Sequence, residues 1–312
     1  MMSGNFRLRA AGLLAVGTLL ATTACGTGAA ETTGAGEVVT ALYPLQWLTE
    51  RVGGTDITVT NLTAPGVEPH DLELTPQQVA EIAGAKMAVY IKGVQPAVDE
   101  AVEQHAADRS FDAATAVKTL EAAHEEGHEG ETEQEHAEHE HEVSYDPHLW
   151  LDPSRLATVA TQLGDRLAAA DPAHARGFKD RAAKTAAELT ALDAEMAKGL
   201  GTCTSKTLVT SHEAFGYLAD RYQLKQVGIT IDPDSEPSPA RLAEVAKLAK
   251  DEKVTTIFTE TLVSPKVAEV LAGEVGAKTA VLDPLETGPE QGDYLSAMRA
   301  NLQTLRTALG CS

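Results

Sequence analysis

Five histidines, His70, His105, His148, His174 and His212, stand outside the one low-complexity segment of this chain. Neutral imidazole is the commonest ligand of transition metals, and zinc holds it at about 2.0–2.1 Å. His70 lies in Gly66-Val67-Glu68-Pro69-His70-Asp71. His148 lies in Asp146-Pro147-His148-Leu149-Trp150-Leu151-Asp152-Pro153, and His212 in Thr210-Ser211-His212-Glu213-Ala214-Phe215. All three occupy turn-rich segments or the ends of apolar strands. His105 and His174 sit in polar, helix-like stretches and read as solvated. Asp283 follows the short apolar run Val281-Leu282 and offers a carboxylate as a fourth donor. No local spacing rule joins residues so far apart. Taken singly, each histidine also fits a hydrogen-bonded loop position, and Asp283 fits an Asx turn ahead of Pro284.

A second group of histidines has a different character. The 22 residues from Glu121 to Glu142 hold ten Glu and five His: His124, His128, His136, His139 and His141. The segment has no apolar period and cannot bury a face, so it reads as a disordered surface loop. Several imidazoles on such a loop offer weak, exchangeable metal sites that raise the local metal concentration. A solvated acidic linker is the plainer alternative.

The elements that must position the separated histidines follow from periodicity. Glu37 to Tyr43 and Ile57 to Leu62 read as strands, and Met87 to Ile91 as a buried one. Leu45 to Val52 reads as helical. Thr75 to Ala83 reads as a helix capped by Thr75, with Pro76 at its first position. Ser154 to Ala170 and Ala173 to Leu200 are helical, the second running roughly 40 Å at about 1.5 Å per residue. Strands return at Thr207 to Thr210, Val254 to Thr259 and Ala280 to Leu282, before a final helix near Tyr294 to Leu309. Strands alternating with helices imply parallel sheets flanked by helices. The expected fold is α/β, with two lobes joined by one long helix. The N-terminal lobe spans 37–152, linking helices span 153–203, and the C-terminal lobe spans 204–312. Ligands of open α/β sheets bind beyond the carboxyl ends of the strands, which places His70 and His212 on facing edges of the two lobes.

Composition limits the partners. A net charge of −21 repels phosphates and argues against nucleic acid. Arg7 and Arg9, the apolar run Ala10 to Leu20 and small residues up to Cys25 read as an export signal over 1–24. The stretch 25–36 then reads as a flexible tether. No later run reaches 18 apolar residues, so the mature chain is not expected to span a membrane. With Cys25 set aside, Cys203 and Cys311 form an even pair in an exported chain. One disulfide closing a large loop is the expectation, and two buried free thiols are the alternative.

Taken together, these motifs resemble the zinc-binding solute receptors of ABC importers, the ZnuA-like branch of the cluster A-I metal-receptor lipoproteins. The resemblance is carried by Tyr43-Pro44, the three histidine segments above, Asp232-Pro233-Asp234-Ser235-Glu236-Pro237-Ser238-Pro239 and Leu282-Asp283-Pro284-Leu285, in order along the mature chain. It implies metal bound in a cleft between two lobes, with His70, His148 and His212 as ligands and Asp283 as the carboxylate. Glu68 or water is the alternative fourth ligand, and Glu260 is read as structural. It further implies Cys25 as a lipidation site, a monomer anchored on the outer face of the membrane, and delivery of Zn2+ to an ABC importer permease. Histidine rather than glutamate at 212 favours zinc over manganese, although copper and nickel also suit three imidazoles. The alternatives within this resemblance are a manganese or iron receptor and a surface adhesin on the same fold. An enzyme is not expected: four protein ligands leave no position for an activated water, and His212-Glu213 opens no H-E-x-x-H helix.

Overall fold

The central strands of the first lobe are continuous apolar runs, as burial on both faces requires. β1 (Gly36–Thr40) carries Val38 and Val39, and β3 (Met87–Tyr90) carries Met87, Ala88 and Val89, all buried. The computed structural model describes residues 36–122, 144–233 and 235–312. The expected export signal, Cys25, nearly all of the expected tether and the five loop histidines lie outside the described residues.

β1 and β3 pair in parallel, flanked by β2 (Ile57–Asn61) and β4 (Ser110–Asp112), in the order β2-β1-β3-β4. The crossovers run through α1 (Tyr43–Gly53), α2 (Pro76–Gly84) and α3 (Pro96–His105). Thr75 caps α2 as expected: its hydroxyl accepts from the Gln78 amide, and Gln78 returns the bond to the Thr75 backbone. This capping box satisfies two of the otherwise unpaired donors at the helix start.

The second lobe repeats the design. β5 (Thr207–Thr210), β6 (Lys225–Gly228), β7 (Thr256–Thr259) and β8 (Lys278–Val281) form a parallel sheet in the order β6-β5-β7-β8. Helices α6 (Gly216–Tyr222), α7 (Pro239–Asp251) and α8 (Lys266–Val275) connect these strands. α9 (Tyr294–Leu309) closes the chain. In each sheet the direction of winding reverses beside the first strand, β1 or β5. Such a reversal leaves a crevice at the carboxyl ends of the strands.

In the chain between the two sheets come α4 (Pro153–Ala170) and α5 (Ala175–Leu200), the long helix expected from the sequence together with a partner packed along it. Asp152 caps α4, its Oδ1 accepting from the amides of Ser154 and Arg155. The two helices approach closely because Gly164 faces Ala182, where a Cβ on Gly164 would lie 2.5 Å from the Ala182 methyl. Gly164→Val is therefore expected to cost about 1–3 kcal/mol by overpacking, read as a lower urea midpoint. α5 is about 39 Å long at 1.5 Å per residue. Near its start Arg181 donates to the Val52 and Gly53 carbonyls and to Asp56 of the first lobe. Further along, Asp193 accepts from Arg221 and Tyr222 of the second.

The lobes also share a core. Leu149, Trp150 and Leu151 are fully buried in one cluster with Tyr217, Phe258 and Tyr294, while a smaller cluster packs α7 and α8 of the second lobe against its sheet. The Trp150 indole donates to the Pro284 carbonyl at 2.7 Å, and the Tyr294 hydroxyl donates to the Trp150 carbonyl at 2.5 Å. Cys203 and Cys311 form the expected disulfide, tying the end of α9 to the start of the second lobe. Among the described residues no helix is long and apolar enough to cross a membrane.

Candidate metal centre

His148 follows the sharp turn Asp146-Pro147-His148. One carboxylate oxygen of Asp146 accepts both the His148 amide, at 2.9 Å, and the His148 Nδ1–H, at 2.7 Å. This pairing places the proton on Nδ1 and directs the Nε2 lone pair away from Asp146. Asp146 is itself confined, since a Cβ on Gly216 would lie 2.3 Å from its Oδ2. The Tyr217 hydroxyl donates to the Asp146 carbonyl at 2.7 Å and accepts from the Leu120 amide at 3.1 Å.

The same device recurs at His212, just past the carboxyl end of β5. Glu260, just past β7, accepts the His212 amide at 3.1 Å and its Nδ1–H at 2.6 Å. Among the described residues the buried His212 Nε2 has no hydrogen-bond partner. A buried polar atom without a partner costs about 1–3 kcal/mol, so its orientation calls for an explanation. His70 arrives from the loop between β2 and α2, its amide donating to Glu68 at 3.0 Å. His70 is the most exposed of the three, with a side chain 16% accessible.

Their Nε2 atoms converge on one carboxylate, that of Glu286. Its Oε1 lies 3.3 Å from His70, 3.6 Å from His148 and 3.6 Å from His212, and the His70 and His148 Nε2 atoms are 3.3 Å apart. All four donor atoms lie within 4.8 Å of one another. Bonds of about 2.0–2.1 Å to a central ion give tetrahedral donor–donor edges of roughly 3.3–3.4 Å. The four atoms thus form a slightly open tetrahedron at the scale of a zinc ion, and the unpartnered His212 Nε2 points into it.

The electrostatics fit a site for a cation. Burial is the largest influence on His148 and lowers its pKa, but its hydrogen bond to Asp146 and the nearby Glu286 carboxylate outweigh it and leave the pKa at about 9. At His212 burial again lowers the value, and Glu260 and Glu286 together raise it to about 10. Burial alone would push Glu286 upward. The three imidazoles that face it hold its carboxyl well below the usual range, so it is ionised.

The fourth member differs from the expectation. Asp283 is not in the group, because its Oδ1 accepts the Leu285 amide at 2.8 Å and closes an Asx turn. Burial is the main cause of its raised pKa. Glu68 is also outside the group and holds the His70 backbone instead. Glu286, three residues past Asp283, is the residue the sequence reading missed. The only local hint is its place in a turn bounded by Pro284 and Gly288. His105 and His174 are exposed, as expected, and His174 donates to Asp171 at 2.7 Å.

Residues 38–308 match the family model described as zinc-uptake complex component A, periplasmic. The chain belongs to that family. The chain is 34% identical over 284 residues to the zinc-binding protein AdcA of Streptococcus pyogenes serotype M3, covering 86% of this chain and 55% of the relative. It thus spans about 55% of the length of that curated relative. The solved laminin-binding adhesin of Streptococcus agalactiae superposes with a TM-score of 0.77 at 32% identity, covering 88% of this chain and 99% of the adhesin. Zn(II)-bound AdcA of Streptococcus pneumoniae superposes with a TM-score of 0.72 at 32% identity, covering 88% of this chain and 57% of that one.

Proposed function

We propose that this chain is an extracytoplasmic zinc receptor that captures Zn2+ and presents it to the permease of an ABC importer. The observation that carries the reading is the convergence of three imidazole Nε2 atoms and one ionised carboxylate at tetrahedral spacing. Three nitrogens and one oxygen suit a borderline cation better than manganese. Asp146 and Glu260 fix the tautomers of His148 and His212, so two of the ligands are oriented before the ion arrives. A tetrahedron completed by protein atoms leaves no position for an activated water, which favours capture and release over catalysis. His70, from a loop and partly exposed, faces the route by which the ion enters and leaves.

Export through residues 1–24, lipidation at Cys25 and a monomer tethered by 25–36 complete the proposal. The segment rich in His and Glu serves as a collector. Its base is paired next to the site: the Ala122 amide donates to the Ser144 carbonyl at 3.2 Å and the Asp146 amide to the Leu120 carbonyl at 3.0 Å. Ala122 and Ser144 are thus held together, and Ser144 stands four residues before His148.

Competition titration of the purified mature chain tests this. One tight zinc equivalent is expected, weakened by Glu286→Gln by roughly 100-fold and by Asp283→Asn by less than tenfold, since only Glu286 meets the ion. Tight zinc that survives removal of all four donors would place the site elsewhere. Similarity to a laminin-binding protein favours a second reading, surface adhesion, which uses the outer surface and leaves the cleft unchanged.

A further inference from the structure

The turn that delivers Glu286 is held in an unfavourable backbone conformation. Leu285, directly before it, has φ +59° although it is not glycine, and its side chain is fully buried. A left-handed residue with a Cβ costs on the order of 1–2 kcal/mol and persists only where its surroundings enforce it. Here the conformation turns the chain so that Asp283 faces the backbone and Glu286 faces the three imidazoles.

Four contacts hold the turn. The Leu282 amide donates to the Thr259 carbonyl at 2.9 Å. Trp150 donates to the Pro284 carbonyl, and Asp283 accepts from the Leu285 amide. The fourth is a paired bond from α9: the Asn301 Nδ2 donates to the Asp283 carbonyl at 2.7 Å, and its Oδ1 accepts the Asp283 amide at 3.1 Å. Asn301 is 4% exposed. Asparagine is a poor helix former, and a buried amide is costly unless its bonds are made. Two hydrogen bonds of this side chain go to one residue of the turn. α9 is anchored in turn to the first lobe, where the Trp47 indole donates to Asp293 at 3.3 Å.

We propose that Asn301 is the positioning residue of the carboxylate ligand: by clamping both backbone groups of Asp283 it keeps Leu285 left-handed and sets the reach of Glu286 into the cleft. This rests on the zinc-receptor reading above. Asn301 touches none of the four donor atoms, so its influence on the ion is carried by the turn to Glu286.

The test is a double-mutant cycle in the full mature chain, reading zinc affinity by chelator competition and folding by thermal melting. Asn301→Ala is expected to weaken zinc by roughly 10–100-fold, the range for residues that orient a metal ligand. In a Glu286→Ala background the same change is expected to alter zinc affinity by less than about twofold, while its effect on melting persists. The visible bands of the Co2+-loaded Asn301→Ala protein should move toward those of Glu286→Ala. An unchanged zinc affinity in folded Asn301→Ala overturns the proposal. So does an equal loss in both backgrounds, which would mean a general effect on the fold. If Asn301→Ala does not fold, Asn301→Asp carries the same cycle, because it keeps the acceptor for the Asp283 amide but sets an oxygen against the Asp283 carbonyl. Wild-type affinity in Asn301→Asp is then the overturning result. Failure of the wild-type chain to bind zinc tightly would instead sink the receptor reading.

Discussion

Replacing His148 by alanine is expected to weaken zinc binding by at least 100-fold while leaving the chain folded. Structural zinc sites bind with roughly 10–16 kcal/mol, so four ligands supply about 3 kcal/mol each, and each 1.4 kcal/mol is tenfold. The loss should exceed that for His70→Ala. His148 is buried and its Nδ1–H is paired with Asp146, so its departure leaves a desolvated gap that water fills poorly. His70 is partly exposed, and water can take its place at the ion. The fold should tolerate the change, because the Trp150 and Tyr294 bonds that join the lobes do not involve the imidazole. Chelator competition and thermal melting on the two variants check this. A Kd for His148→Ala within tenfold of the wild type would show that the ion does not use this nitrogen.

The second large effect is on pH. In the metal-free protein His148 holds its extra proton up to about pH 9 and His212 up to about pH 10, because the neighbouring carboxylates of Asp146, Glu260 and Glu286 outweigh burial. Zinc must displace both protons from Nε2. Binding near neutral pH is therefore expected to release two protons, and affinity should fall by on the order of 100-fold for each pH unit lowered below about 8. Stability runs the opposite way. Both folded-state values lie above the unfolded value of 6.5, so the protonated cluster stabilises the metal-free fold fully below about pH 6.5. That contribution is lost as pH rises through about 9 to 10. The rise in melting temperature on adding zinc should accordingly grow with pH. Calorimetry in buffers of different ionisation enthalpy counts the protons, and an affinity independent of pH between 6 and 8 would refute the proton inventory.

How much of this was legible in the residues can be traced element by element. Thr75-Pro76 announced a helix start, and the buried runs Val38-Val39 and Met87-Ala88-Val89 announced central strands, because capping and burial on two faces are local demands. β4 gave no such signal: with three residues it is too short to show a period, and it is a strand because β3 offers it a partner. The parallel sheets fixed the side of each lobe on which His70 and His212 fall. The identity of the first three candidate ligands was therefore available from sequence, since each lies in a distinctive turn segment.

The fourth was not. Asp283 is the carboxylate that follows the strand directly, and by sequence it is the better candidate. The tertiary structure spends it on the Leu285 amide and brings Glu286 into the cleft instead. That exchange depends on Leu285 adopting φ +59°, which nothing in a leucine announces. It is enforced by Asn301 from α9 and Trp150 from the connection between the lobes, residues distant in the chain. The sequence by itself determined the α/β alternation and three imidazoles able to face a common cleft. Only the tertiary structure decided which carboxylate completes them, because the direction of a side chain on a strained turn is set by the groups that hold the turn.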